Sequence, residues 1–418
     1  MNRTYFCIDM KCFYASVECA ERGLDPFTTN LVVADKERGK NALCLAISPA
    51  LKARGVKNRC RISDIPTSFD YIVAKPRMKL YVEYAADIYD VYLDHISHDD
   101  IHVYSIDEAF LDVTYYLKRY KMSPLEFAKF LMREIARVKK IPSTVGIGTN
   151  LYLAKVALDI TAKHSPDHIG FLDEETYMRT LWAHRPITDF WHVGEGSARR
   201  LARYGIFDMA GVAAAPEELI YRIFGIDAEL LIDHAWGREP CTIADIKAFR
   251  PSSKSVSFSQ ILFEDYTAEK ALLVLREMAL GGCQEMMRRH VVAGSVSIGV
   301  AYSSSLGIPP TGGAMRIPRA TSLYSAISEY VDEIFRKTTH RGAPIRRLAI
   351  SFDVMPEGSE GYDLFSNIEA EEREKCLEGT VLKIKDRFGK NAILRGFDLE
   401  DGATARERNR MIGGHNGE

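Results

Sequence analysis

The eight cysteines of this 418-residue chain stand singly at 7, 12, 19, 44, 60, 241, 283 and 376, and no two form a C-x-x-C pair. That excludes the spacing of zinc ribbons and thioredoxin-like redox sites, and scattered reduced thiols point to the cytoplasm. Long hydrophobic runs are also missing. The longest stretch free of Lys, Arg, Asp and Glu, 290–315, is broken repeatedly by Gly, Ser and Pro, so it reads as strand and loop and not as a membrane span. The N-terminus enters a strand-like segment without the apolar region of a secretory signal. Charge of one sign is lacking too. Lys plus Arg number 55 against 57 Asp plus Glu, a net −2, which excludes a uniformly basic nucleic-acid coat but not local patches. No long-period repeat is visible. What remains is a globular composition, 46% apolar and 27% charged, in a chain long enough for about three packing units at roughly 150 residues each.

The first part of the chain alternates β-rich and helical runs, which predicts mixed α/β architecture. Strands are expected at 5–9, 31–34, 43–47, 101–105, 109–113 and 144–147, and helices at 49–54, 78–96, 125–139 and 150–163. From 174 to 236 short helical patterns separated by glycine turns predict an all-helical unit, and 242–254 reads as a linker. Beyond it come a strand at 256–262, a helix at 268–290, a strand at 292–302, a helix at 323–336 and a strand at 348–354, an α+β unit. The charged, glycine-bearing tail from Glu357 is expected to pack poorly.

Chemistry concentrates in Ser105-Ile106-Asp107-Glu108-Ala109-Phe110-Leu111-Asp112-Val113, where two strand-like runs flank adjacent carboxylates at the bend of a hairpin. A second strand, Tyr5-Phe6-Cys7-Ile8-Asp9, also ends in an acid. If the sheet sets this strand beside the hairpin, three acids converge, the ligand type that hard cations such as Mg²⁺ prefer. A lone Asp-Glu pair equally marks a solvated turn, so the reading needs support from other segments. His95, His98 and His102 raise a transition-metal site as an alternative, but no Cys or distant His completes it, and a solvated turn is the simpler account.

That support comes from Asp9-Met10-Lys11-Cys12-Phe13-Tyr14-Ala15-Ser16-Val17-Glu18, Tyr104-Ser105-Ile106-Asp107-Glu108-Ala109-Phe110 and Val145-Gly146-Ile147-Gly148-Thr149-Asn150, the last followed by Leu153-Ala154-Lys155 and Lys163. Together they resemble, in order and spacing over positions 1–355, the motifs of Y-family translesion DNA polymerases, nearer the UmuC-like branch. The resemblance implies a right-hand polymerase: palm and fingers over 1–173 (fingers about 35–77), a helical thumb over 174–240, a linker over 241–254, a little-finger domain over 255–355 and a C-terminal tail over 356–418. It implies that Asp9, Asp107 and Glu108 are catalytic and, with the Met10 carbonyl, hold two Mg²⁺ ions, for which Mn²⁺ can substitute. Tyr14 matches the steric gate whose ring excludes a ribose 2′-hydroxyl, with Cys12 and Phe13 beside it at the nucleotide. Ser48, Lys52 and Lys163 match triphosphate contacts. Lys52 stands where many relatives have an arginine, and a lysine neutralises phosphate without Arg's two-pronged fork.

From Lys36 to Arg61 the chain carries eight bases against one acid, while Asp87 to Asp112 carries eight acids and no Lys or Arg. Opposite signs in separate segments suit a triphosphate grip facing a metal cage. Trp191 to Leu201 reads as helix, Gly194-x-Gly196 turn, helix, and resembles a helix–hairpin–helix whose backbone amides hold DNA phosphate, with Arg199 behind. In the little-finger segment Arg316, Arg319 and Arg346 are the expected backbone contacts. Gly361-Tyr362-Asp363-Leu364-Phe365 resembles the peptide that docks a bacterial sliding clamp through Leu364 and Phe365, although the family pattern places Gln where Gly361 stands. The expected partners are therefore primer–template DNA, deoxynucleoside triphosphates and a clamp, for a monomer away from membranes. Two competing readings stay open: a catalytically silent DNA- and clamp-binding accessory protein that keeps the polymerase fold, and a nucleotide cyclase on a similar palm.

Overall fold

Alternation within the first strand organises the first half of the molecule. In the computed structural model, which describes residues 3–39, 41–251, 255–359 and 367–417, β1 (Tyr5–Met10) turns Phe6, Ile8 and Met10 to one face and Tyr5 and Cys7 to the other. After it come α1 (Phe13–Glu21), β2 (Leu31–Val33), β3 (Ala46–Ile47), α2 (Pro49–Ala53), β4 (Ile72–Ala74), α3 (Met78–Leu93), β5 (Ile101–Val103), β6 (Glu108–Asp112), α4 (Thr114–Tyr120), α5 (Pro124–Lys139), β7 (Ser143–Gly148), α6 (Leu151–Val156) and β8 (Ile169–Leu172). The central sheet runs β5-β6-β1-β7-β8, with β1 antiparallel to both neighbours and β7 parallel to β8. Phe6, Ile8 and Met10 pack with Tyr81 and Ile88 of α3 and with Phe127, Leu131 and Ile135 of α5. Tyr5, Cys7 and Phe110 pack instead on Leu151, Ala154 and Leu158. Capping starts α5: the Ser123 hydroxyl accepts from Glu126 N, and the Glu126 carboxylate accepts from Ser123 N at 2.8 Å.

A separate three-stranded sheet, β3-β2-β4, buries Val32, Cys44, Ile47 and Leu51 and carries α2. Neither β4 nor β8 was expected from the sequence, since runs of three or four residues give almost no periodicity. Next follow α7 (Glu174–Leu181), α8 (Glu195–Ala202), α9 (Met209–Ala214), α10 (Glu217–Phe224) and α11 (Ala228–Ala235), packed around Tyr152, Tyr177, Leu201 and Ile220. The expected linker is in part a helix. Thr242 and Asp245 form a capping box at the start of α12 (Ile243–Ala248), and Ile243 is buried with Tyr5, Phe110 and Leu151 on the central sheet.

The first compact unit runs to Phe249 and the second from Arg250 to Asn416. The second contains β9 (Ser255–Tyr266), α13 (Ala268–Arg288), β10 (Val291–Tyr302), β11 (Thr311–Thr321), α14 (Tyr324–Thr338), β12 (Ile345–Pro356), α15 (Ile368–Phe388) and α16 (Ala405–Arg408). Its antiparallel sheet runs β11-β10-β12-β9, and Val296, Ile298 and Val300 of β10 meet Ala271, Val274 and Ile327 from α13 and α14. The poorly packed tail anticipated from Glu357 onward is corrected here. The α15 helix buries Glu378 and Leu382, and the Glu277 carboxylate, buried in α13, accepts from Thr404 N at 3.0 Å, Thr404 Oγ1 at 2.8 Å and Ala405 N at 2.9 Å. Those contacts give an otherwise costly buried charge its partners and pin the last segment to the unit.

Candidate active site

Register brings the acids together. Asp9 of β1 lies directly opposite Glu108 of β6, and paired residues in an antiparallel ladder project to the same face. The hairpin before β6 closes with Tyr104 N and Ser105 N both donating to the Glu108 carbonyl, at 2.9 and 3.0 Å. Asp107 sits in that bend, its carbonyl accepting from Met10 N at 2.9 Å and its carboxylate from Ser105 Oγ at 2.7 Å. Three carboxylates thus gather at one end of two adjacent strands. Burial pushes Asp9 up to about 7 despite the pull of Lys163, and the charges of Asp107 and Glu108 push the same way.

Two lysines face this end of the sheet because two glycines let a helix approach it. A β-carbon on Gly146 would lie 2.1 Å from the Ala154 carbonyl oxygen, and one on Gly148 would lie 2.1 Å from Ala154 N, so only glycine permits α6 to rest on β7. Asn150 starts that helix by accepting from Leu153 N at 2.8 Å. The Lys155 ammonium consequently reaches Glu108 at 2.8 Å and Asp159 at 3.0 Å, while Lys163 lies 2.7 Å from Asp159. The result is a line of alternating charges, Glu108, Lys155, Asp159 and Lys163. Cys7 adds a thiol hydrogen bond to Glu108 at 3.1 Å. Lys155, Asp159 and Cys7 carry no role in the sequence reading, although Lys155 lies within a quoted motif; only the Gly146 and Gly148 clearance hinted that the helix would place it here. As placed, Glu108 turns to Lys155, and among the described residues no three His, Cys, Asp or Glu side chains are grouped closely enough to hold a metal.

Among the candidate nucleotide contacts, Cys12 adopts left-handed backbone at φ 51° and leads into α1. The Tyr14 ring stacks on Tyr81 at 4.5 Å, and burial, then the Asp107 charge, raises its hydroxyl pKa. Phe13 is buried in the core, its ring packed on Tyr14 at 5.6 Å and edge-on to Tyr81 at 6.5 Å. Ser48 is likewise withdrawn: it is fully buried, and its hydroxyl accepts from Leu31 N at 3.0 Å and caps α2. Lys52 is exposed on α2, close enough that its charge and a hydrogen bond counter the burial that raises the Cys12 thiol pKa.

The DNA-contact candidates divide. Gly194 is the N-cap of α8 and Gly196 lies in its first turn, so this stretch is an exposed helix start preceded by a short 3-10 turn at Ile187–Asp189, not the middle of two full helices. Arg199 folds back to the Glu195 carbonyl at 3.3 Å. Arg319 makes a two-pronged ion pair with Glu371 of α15 at 2.7 and 2.8 Å, and Arg346 lies 3.6 Å from Asp265; Arg316 is exposed on the edge strand β11. Arg319 is therefore committed to the C-terminal helix, a partner invisible while the tail was expected to be loose. His95 packs on Phe130 and His102 on Phe110, and the three histidines do not converge. Leu364 and Phe365 lie outside the described residues.

Residues 8–159 match the model of the impB/mucB/samB family, and 253–364 match that of the impB/mucB/samB family C-terminal domain. UvrX, a protein of Bacillus subtilis (strain 168) named for UV-damage repair, is 32% identical over 427 residues, covering 99% of this chain and 98% of its own. The chain belongs to the impB/mucB/samB family. Another relative of this family, DNA polymerase IV 2 of Halalkalibacterium halodurans, is 30% identical over 99% of this chain and all of its own length (100%). A solved Y-family DNA polymerase chimera of Dbh and Dpo4 superposes with a TM-score of 0.63 at 20% identity, covering 84% of this chain and 98% of that one. The family member described here thus has the Y-family polymerase fold that its motifs resemble. Among the described residues no helix is long and apolar enough to cross a membrane.

Proposed function

We propose that this protein is a DNA-directed DNA polymerase of the damage-bypass type, joining a deoxynucleotide to a primer 3′-hydroxyl under the direction of a template. The observation that carries the reading is the register that sets Asp9 beside Glu108 with Asp107 at the adjoining bend, in a chain of this family. The donor chemistry suits hard cations, with Asp9 on β1, Glu108 opposite it on β6 and Asp107 in the bend before β6, although Glu108 must leave Lys155 before the three can converge on an ion; Asp9 is pushed up to about 7, chiefly by burial, a cost that a cation removes. Asp9, Asp107 and Glu108, with the Met10 carbonyl, would hold two Mg²⁺ ions, or Mn²⁺ in their place. When bound, such ions neutralise charge on the phosphates and activate the attacking hydroxyl.

The chain's own residues do the remaining work. Lys52 and Lys163 supply positive charge for the triphosphate, and Lys163 exchanges its Asp159 partner for a phosphate when a nucleotide enters. Tyr14, backed by Tyr81, forms a wall under the sugar that has no room for a 2′-hydroxyl. Lys155 holds Glu108 in place until substrate arrives. Primer–template DNA is gripped by backbone contacts at the α8 start and at Arg316, and Gly361 to Phe365 is the proposed clamp-docking peptide.

Primer extension on an undamaged and a lesion-bearing template, with and without Mg²⁺, tests the reading. Metal-dependent, template-directed extension on both is expected. No extension on either points to the silent accessory protein, and a product formed from nucleotide alone points to a cyclase; each result overturns the proposal.

A further inference from the structure

We propose that the fingers carry a preformed phosphate site, built from Arg54, Lys57 and Arg59, for the unpaired template strand ahead of the nascent base pair. A cavity of about 450 Å³ opens at the C-terminal end of α2, lined by these three cations, Gly55, Asn58 and Asp64 among others. Asp64 is the one carboxylate in the lining, and it is already engaged, its oxygen accepting from Arg61 N at 2.8 Å. Lys57 and Arg59 are exposed and make no ion pair among the described residues. Arg54 is fixed by stacking, its guanidinium 3.8 Å from the Phe69 ring centre, which orients the group and leaves its N–H donors for another acceptor. Three cations collected around a concavity with one committed acid call for an anion.

The loop that presents them is anchored at both ends. Gly55 N donates to Lys52 O at 2.9 Å and Val56 N to Leu51 O at 3.2 Å, while the Cys60 carbonyl accepts from Cys44 N at 2.8 Å and Ile62 N donates to Ala42 O at 3.0 Å. Gly55 takes left-handed backbone at φ 88° without cost, but Arg59 does so at φ 56°, a conformation that is strained for a residue with a side chain. Strain held between fixed ends is a feature of sites that must present a group in one place.

Position selects the ligand, and this step rests on the polymerase reading above. Lys52, the proposed triphosphate contact, lies in the same five-residue helix that ends at the cavity. The templating base pairs with the nucleotide held there, so the next unpaired template phosphates pass beside this end of the fingers. The Phe69 face is covered by Arg54 and no aromatic side chain lines the cavity among the described residues, so recognition is of phosphate and not of stacked bases.

The test uses the full chain and the variant Lys57→Ala/Arg59→Gly, in which glycine keeps the left-handed backbone. Binding is measured by anisotropy on primer–templates with one or ten unpaired template nucleotides, across a salt series, with inorganic phosphate as a separate probe. The wild type is expected to bind the long overhang more tightly and the variant to lose that gain, with its log–log salt slope smaller by about 1.4 for two lost contacts at roughly 0.7 each. Binding of the one-nucleotide overhang is expected to stay within about twofold, since that substrate has no further unpaired template phosphates to reach the site. A variant that keeps the overhang gain, weakens both substrates equally, or loses only inorganic phosphate binding overturns the site. Failure of the wild type to insert on the short overhang tells against the polymerase reading instead, because the overhang gain is read from binding alone.

Discussion

Removing Lys155 deletes a buried cation that joins two partly buried carboxylates. Its side chain is 9% exposed and those of Glu108 and Asp159 are 10% and 24% exposed. Burial works to lower the pKa of the ammonium, yet the surrounding Cys7, Asp159 and Glu108 more than offset it and the net shift is upward. At the 2.8 Å separation from Glu108, an effective dielectric of about 20 gives an attraction of roughly 6 kcal/mol before desolvation is subtracted. Breaking a buried pair from one side costs about 3–5 kcal/mol. The lower end applies to Lys155→Met, because Glu108 keeps the Cys7 thiol at 3.1 Å and Asp159 keeps Lys163 at 2.7 Å. For a unit of this size, about 3 kcal/mol corresponds to a fall of roughly 6–12 °C in the unfolding midpoint. Calorimetry of the purified variant reads this directly in the transition of the first unit. Millimolar Mg²⁺ should return part of the loss, since a divalent cation replaces the missing positive charge. A loss under about 1 kcal/mol would refute the reasoning, because it would place the pair among exposed, screened ones.

Two further outcomes follow from other parts of the first unit. Tyr14→Ala should raise ribonucleotide incorporation by about tenfold or more relative to deoxyribonucleotides, because the wall under the sugar is removed; single-nucleotide insertion with both sugars measures it, and an unchanged ratio rejects the gate. Glu18 is fully buried, and although burial alone would raise its pKa, hydrogen bonds from Arg77, Arg22 and Tyr81 bring it below the usual 4.5. A depressed carboxylate contributes stability above its unfolded value and loses it as pH falls through the folded one. Stability differences between wild type and Glu18→Gln should therefore be full at neutral pH and shrink below about pH 4.5; a difference independent of pH down to 3 would contradict this.

Much of the candidate catalytic face was legible because it rests on short-range patterns. The period-two runs on either side of Asp107-Glu108 announced the hairpin, and the apolar run ending at Asp9 announced its strand. Their pairing was a non-local fact, reached only through the motif resemblance, and the register now makes Asp9 and Glu108 neighbours. Lys155 was hidden for a different reason. Its position depends on the clearance that Gly146 and Gly148 give to α6, and a glycine in a strand does not say which side chain will exploit the space. Ser48 and Phe13, named by motif, are both buried, one capping α2 and the other packed in the core, and neither burial could be read from the motif. The C-terminal helix escaped because α15 is charged around most of its surface and is held by polar contacts such as Arg319 to Glu371, which leave no apolar stripe to read.

The most direct test of the central claim is single-turnover primer extension by Asp107→Ala and Glu108→Ala, each shown to be folded by its unfolding midpoint. Both are expected to lose more than about a hundredfold in insertion rate, the upper range for groups one shell further from a metal, while primer–template binding without metal stays within about threefold. Extension at the wild-type rate by both variants would contradict that claim.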